Sequence, residues 1–280
     1  VSFTRLVDVA TLAQHLTDPD WRVVDVRHQL ADLAYGERAY LAGHIPGAVF
    51  LHCDRDLSGP MSGCNGRHPL PAPAVLAARL GECGIGPQTQ VVVYDDAQGM
   101  IAGRLWWLLR WLGHDQVAVL DGGFQAWQAS AELSTELPSV QPQIFPVKIR
   151  DTLVDADFVL SFLQTSRFHL IDARSPDRFR GENETMDPVG GHIPGAVNRF
   201  FRDNLQENGC FKPAAQLREE WLTLLGERPP EQVVHQCGSG VSACHNLLAM
   251  EIAGLNGSQL YAGSWSEWCA DPSRPVAQGE

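Results

Sequence analysis

What this chain has least of is positive charge. Its 280 residues carry 21 Lys and Arg against 33 Asp and Glu, a formal net charge of −12. Nucleic acids and anionic membrane surfaces require a basic footprint, so neither is expected as a partner. Long apolar runs are lacking as well. The most apolar stretch, Met100 to Leu112, is interrupted by Arg104 and Arg110, which does not suit a membrane span. The first residues, VSFTRLVDVATLAQHL, put charges where an export signal needs an apolar core, so no export is expected. Seven cysteines, at 53, 64, 83, 210, 237, 244 and 269, form an odd set without close spacing. That excludes a disulfide scaffold and favours a reducing, cytoplasmic compartment. What is present is ordinary globular material: 44% hydrophobic residues, eight Trp and eleven Phe, enough to build substantial cores.

The chain repeats itself. Gly43 to Val49 reads GHIPGAV, and Gly191 to Val197 reads GHIPGAV again. Upstream, Val23-Val24-Asp25-Val26-Arg27 matches Leu170-Ile171-Asp172-Ala173-Arg174. Downstream, Asp121-Gly122-Gly123-Phe124-Gln125-Ala126-Trp127 matches Ala262-Gly263-Ser264-Trp265-Ser266-Glu267-Trp268. The three pairs keep their order, which identifies a duplicated domain.

Within the first copy, short apolar runs at Trp21 to Val26, Ala48 to Leu51, Val91 to Tyr94 and Val117 to Leu120 read as strands. Amphipathic segments at Val7 to Leu16, Pro73 to Cys83 and Gly103 to Leu112 read as helices. In the second copy, helices are expected at Asp155 to Leu163, Pro213 to Leu225 and Ser242 to Ala253. Alternation of this kind predicts an α/β fold: two duplicated domains, each a mostly parallel sheet with helices on both faces. The stretch Ala131 to Val147 is rich in proline (Pro138, Pro142, Pro146) and patternless. The expected boundaries are therefore residues 1–137, a linker at 138–150, and 151–280.

One loop concentrates the chemistry. Val233-Val234-His235 reads as a buried strand and the run from Ser242 as a helix; between them lies Cys237-Gly238-Ser239-Gly240-Val241-Ser242. Two glycines allow a tight curl in which successive N–H groups face inward at a helix N-terminus, an anion-binding nest. A cysteine at its mouth is favoured as thiolate. A cysteine that only fills space needs no Gly-x-Gly after it, and the glycines make Cys237 the expected nucleophile. The duplication supplies an internal control. Aligning Val92-Val93-Tyr94-Asp95 on Val234-His235-Gln236-Cys237 puts Asp95 at the cysteine position, so the first domain is expected to be catalytically inactive.

Taken together, the two GHIPGAV motifs, Trp106-Trp107 with Asp121-Gly122-Gly123-Phe124, the loop CGSGVSA, and Gly263-Ser264-Trp265-Ser266-Glu267-Trp268 resemble the tandem-domain rhodanese family of sulfurtransferases over nearly the whole chain. The neutral loop Cys237-Gly238-Ser239-Gly240-Val241 is similar to that of its 3-mercaptopyruvate sulfurtransferases, whereas thiosulfate-preferring members usually carry basic residues after the cysteine. The division has a physical sense, because thiosulfate is a dianion that gains from fixed positive charge and mercaptopyruvate is a monocarboxylate.

The resemblance implies a persulfide on Cys237, made from a small-molecule sulfur donor and passed to cyanide or a thiol, with no cofactor or metal. It implies catalytic roles for Cys237 and Ser239, substrate contacts from Gly238, Gly240, Val241 and Ser242, and a carboxylate clamp at Arg178, to which a guanidinium can bond bidentately. The second arginine usual in mercaptopyruvate enzymes is missing: Gly181 to Gly191 reads GENETMDPVGG. Arg180 and Arg67 are the candidates to replace it. His44, in the first GHIPGAV turn, is a lesser candidate, since a repeated histidine is more simply structural.

Other chemistries fit less well. A Cys-nest phosphatase needs an arginine six residues after the cysteine, and that position is Ala243. Zinc held by Cys237, Cys244, His235 and His245 matches no structural-zinc spacing. A non-enzymatic sulfur-carrying module is the alternative of a different class, and thiosulfate:cyanide transfer the alternative within enzymes.

Overall fold

The fold was obtained as a computed structural model describing residues 2–163, 165 and 167–280. The chain divides into two compact units. One comprises Val1–Gly59, Pro71–Asp151 and Glu207–Phe211; the other comprises Pro60–Leu70, Thr152–Gln206 and Lys212–Glu280. Each half of the sequence thus lends a short arm to the opposite unit. The proline-rich stretch belongs with the first unit because it bonds to it: Gln143 N–H donates to Gly81 O, Lys148 N–H to Leu112 O and Arg150 N–H to Trp111 O, all at 2.8–2.9 Å.

The first unit runs β1 (Leu6–Val7), α1 (Val9–His15), β2 (Trp21–Asp25), α2 (Tyr35–Ala42), β3 (Val49–Phe50), α3 (Pro73–Glu82), β4 (Gln90–Tyr94), α4 (Met100–Trp111), β5 (Val117–Leu120) and α5 (Gly123–Gln128). The second runs β6 (Leu153–Val154), α6 (Ala156–Phe162), β7 (His169–Asp172), α7 (Pro176–Arg180), β8 (Val197–Asn198), α8 (Ala214–Leu225), β9 (Val233–Gln236), α9 (Ala243–Ile252), β10 (Gln259–Tyr261) and α10 (Ser264–Trp268). Each sheet has five parallel strands in the same order, β1-β5-β4-β2-β3 and β6-β10-β9-β7-β8. The central strands β4 and β9 are buried along their whole length, which is why they read as unbroken apolar runs rather than alternating ones. Among the elements missed by periodicity, β1, α7 and α10 complete too little of a repeat to show one, while α2 was missed at eight residues.

The repeated motifs prove to be one structural device used twice. Asp25 and Asp172, ending β2 and β7, are fully buried. Each accepts the Nε and Nη2 of the arginine two residues on, and that arginine also donates through Nη2 to the first glycine carbonyl of GHIPGAV, Gly43 O or Gly191 O, at 2.7 Å in both copies. The motif histidines stack on Tyr40 and Phe179. Their Nδ1 atoms meet the carbonyls of the same two residues, at 2.7 and 2.8 Å. Removing one member of a buried ion pair of this kind strands the other charge, so the motif is a fastening of strand end to turn.

Candidate active site

Cys237 follows β9 directly and is 2% exposed. Its sulfur accepts the Gly240 N–H at 3.2 Å. Gly240 has φ +77°, and a β-carbon there would lie 2.3 Å from Ala262 O, so only glycine completes the turn that aims this N–H at the sulfur. Ser242 then stands at the N-cap position of α9 without a side-chain capping bond, and the helix has no acidic residue in its first turn. Burial pushes the Cys53 thiol up to about 12 and the Cys269 thiol up to about 11, which leaves them protonated and inert at neutral pH.

The turn at 263–266 clamps the loop from the other side. Cys237 N–H donates to Ser264 Oγ at 3.1 Å, Trp265 N–H to Cys237 O at 2.9 Å and Ser266 N–H to Gly238 O at 2.9 Å. Ser264 is fully buried with φ +56°, a left-handed conformation that costs a non-glycine residue about 1–2 kcal/mol. Its counterpart, Gly123, has φ +60° and needs no such compensation. The strained serine is explained by its hydroxyl, which accepts from Cys237 and donates to Tyr261 O at 2.9 Å.

The arm at Pro60–Leu70 brings in what the second half of the sequence lacks. Gly66, with φ +84°, lets the arm lie against Gly263, where a β-carbon would come within 2.9 Å of the carbonyl oxygen. Arg67 N–H donates to Ser266 Oγ at 3.1 Å. From there, His68 Nδ1 lies 2.7 Å from Ser239 Oγ, with both residues buried. A β-carbon on Gly238 would be 2.9 Å from Arg67 Nη2 and 3.5 Å from Arg178 Nη1. Two guanidinium groups therefore flank the residue next to Cys237, in a loop whose own side chains carry no basic group.

These guanidiniums are held by the acidic segment between α7 and the second GHIPGAV. Arg178 binds both Glu184 oxygens at 3.0 Å and Asp187 Oδ2 at 3.4 Å. Arg67 Nη1 pairs with Asp187 Oδ1. Burial opposes ionisation of Glu184, but the Met186 and Asp187 N–H groups and Arg178 outweigh it and hold the carboxyl below the usual range.

Among the sequence-derived candidates, the structure gathers Cys237, Gly238, Ser239, Gly240, Arg178 and Arg67 in one place. Val241 and Ser242 continue the loop into α9, their carbonyls accepting the Cys244 and His245 N–H groups at 3.1 Å. Arg180 is engaged elsewhere, paired with exposed Glu182 at 2.8 Å. His44 lies in the first unit with its ring nitrogens on Tyr40 O and Glu136 O. His68, Ser264, Glu184 and Asp187 escaped sequence reasoning. The run Gly66-Arg67-His68 was the available signal for His68 and the repeated motif at 262–268 for Ser264; Glu184 and Asp187 lie in the 181–191 segment, where no arginine replaces the missing one.

A model of the rhodanese-like domain matches twice, over residues 8–130 and 155–271. A probable 3-mercaptopyruvate sulfurtransferase of Pseudomonas aeruginosa is 48% identical over the whole of both chains. A putative thiosulfate sulfurtransferase of Mycobacterium tuberculosis is 41% identical over 92% of this chain and 90% of its own. Among solved structures, the 3-mercaptopyruvate sulfotransferase SseA of Escherichia coli superposes with a TM-score of 0.82 at 31% identity, covering 94% of this chain and 99% of that one. With the fold present in duplicate and both halves matched, this chain belongs to the rhodanese family of sulfurtransferases.

Proposed function

We propose that the chain transfers sulfur from 3-mercaptopyruvate to a thiophilic acceptor, cyanide or a thiol, through a persulfide on Cys237. One observation carries the reading: the Cys237 sulfur accepts a main-chain N–H in an uncharged loop, beside two guanidinium groups that can take a carboxylate. The Cys237 thiolate attacks the donor sulfur, the carbon–sulfur bond breaks, and its electron pair passes to the methylene carbon as the enolate of pyruvate. The proton of the donor thiol moves to that carbon, leaving pyruvate and a persulfide anion on Cys237. Ser239 hands that proton over, a role supported by its hydrogen bond to His68. The Gly240 N–H and the N-terminus of α9 favour the negative sulfur at both stages. An acceptor nucleophile then attacks the outer sulfur and restores the thiolate.

The Pseudomonas aeruginosa relative, aligned end to end at 48% identity, supports this donor. The neutral side chains of Gly238 and Ser239 support it over a dianion. Seven free cysteines fit a reducing, cytoplasmic setting. No helix among the described residues is long and apolar enough to cross a membrane.

The test is turnover with mercaptopyruvate and with thiosulfate, in the parent and in Cys237→Ser. The parent should release pyruvate in a burst and gain about 32 Da at Cys237, one persulfide sulfur. Cys237→Ser should lose more than about a thousandfold in rate. Thiosulfate turned over faster than mercaptopyruvate would reassign the donor. A sulfur loaded only by another protein would make the chain a carrier.

A further inference from the structure

The two arginines that flank Gly238 do not stand as open positive charges. Asp187, whose side chain is 4% exposed, pairs with Arg67 through one carboxylate oxygen and approaches Arg178 through the other. Glu184, also 4% exposed, holds Arg178 and lies 3.6 Å from Arg174 Nη1, while Arg174 is paired with Asp172 at 2.7 Å. Three arginines around the loop thus meet three buried carboxylates, and the formal local charge is zero. Donor capacity nevertheless remains. Among the described residues, Arg67 Nε is buried without a hydrogen-bond partner, and Arg67 Nη2 and Arg178 Nη1 face the Gly238 backbone. The cluster can hydrogen-bond an anion while supplying little net attraction to it.

We propose that Asp187 is a specificity-determining residue, a built-in counter-anion that weights this pocket against dianionic sulfur donors and toward monoanionic ones. The inference rests on the assignment of Cys237 and its loop as the donor site. The physical reason is that Coulomb energy is linear in the charge of the ligand. A fixed carboxylate shared by two guanidiniums repels a dianion twice as strongly as a monoanion at the same place, whereas the hydrogen bonds those guanidiniums offer are similar for both. Discrimination therefore comes from the repulsive element as much as from the attractive one. The position is apt, since Asp187 touches both arginines and the ligand's anionic group must approach the same pair.

The experiment measures equilibrium binding of pyruvate and of sulfate, one monoanion and one dianion, to the full chain carrying Cys237→Ser, with and without Asp187→Asn. Removing the carboxylate charge should tighten sulfate about tenfold and pyruvate about threefold, so that the logarithmic shift for the dianion is about twice that for the monoanion. In the Cys237-containing protein, Asp187→Asn should raise kcat/KM for thiosulfate relative to mercaptopyruvate by a similar ratio. Glu182→Gln, which removes a charge from the exposed Arg180 pair in the same segment, should leave both ratios alone. Asp187→Ser serves as a second variant should the asparagine form fold poorly. Equal shifts for the two anions, or weaker binding of both, would make Asp187 a mere anchor for Arg67 and overturn the proposal. If the anion shifts appear but the parent releases no pyruvate from mercaptopyruvate, the donor assignment fails while the charge selection by Asp187 stands.

Discussion

The central strands of the two units end in opposite ways. Where β4 stops, Asp95 is fully buried and its carboxylate accepts four main-chain N–H groups, those of Ala97, Gly99, Ile101 and Ala102, at 2.7–2.9 Å. Where β9 stops, Cys237 meets the Gly240 N–H with its sulfur. Desolvation drives the Asp95 pKa up against the pull of those four donors. The first unit thus fills its own nest with a tethered carboxyl group and closes it, whereas the second leaves its nest to a cysteine sulfur. Three more aligned positions follow the same division. Gly123 faces Ser264 across the repeat, Val93 faces His235, and Tyr94, whose hydroxyl bonds Asp25 at 2.6 Å, faces Gln236. The shared scaffold is the Asp-x-Arg and GHIPGAV fastening; the differences cluster within a few residues of Cys237.

The largest effect expected in testing this comparison is on the shared part. Arg27→Met and Arg174→Met should each destabilise the chain by about 3–5 kcal/mol in urea unfolding, because each leaves a buried aspartate without its counter-ion. A clearly smaller loss for one of them would mean that the two fastenings are not energetically equivalent.

Next comes a position where the second unit departs from the first. His235 is fully buried and burial lowers its pKa to about 3. A base whose folded pKa is depressed contributes stability that is complete above its ordinary 6.5 and is lost as the pH falls toward about 3. The parent should therefore lose up to about 1.4 kcal/mol per pH unit through this group in that window. His235→Val, which copies the first unit, should remove that slope when unfolding is compared at pH 7, 5.5 and 4.5, whatever it does to stability at pH 7. An unchanged slope would show that the imidazole is not held neutral.

The smallest effect sharpens the comparison most. Ser264→Gly, again the first unit's choice, relieves the left-handed serine while deleting its bond to the Cys237 N–H. Stability should move by less than about 1 kcal/mol, since lost strain and a lost hydrogen bond nearly offset. Turnover should fall about tenfold in kcat with little change in KM, because the nucleophile is held less well. Parent-like kcat would reduce Ser264 to a turn residue. The reverse change, Gly123→Ser, should destabilise, since a β-carbon there lies 2.6 Å from Asp95 O.

Much of this was legible from residues alone. The duplication, the parallel α/β sheets and the cysteine were carried by local signals: apolar runs of strand length, a motif written twice, and glycines that fit only a tight turn. The boundaries were less legible. Nothing in the composition of Pro60–Leu70 shows that it joins the second unit, because that membership depends on a hydrogen bond to Ser266 and a close approach to Gly263. The same holds for the fate of the arginines. Arg67 and Arg180 were equal candidates in sequence; only the fold sends one to Gly238 and the other to Glu182.

Sequence by itself determined that there are two copies of one fold and that only the second follows its central strand with a cysteine, since strand periodicity, turn glycines and side-chain identity are local properties of the chain. Tertiary structure decided which distant charges surround that cysteine. Arg67, His68, Glu184 and Asp187 reach the loop from separate segments. Ion pairing and burial depend on distances in space that spacing along the chain does not encode.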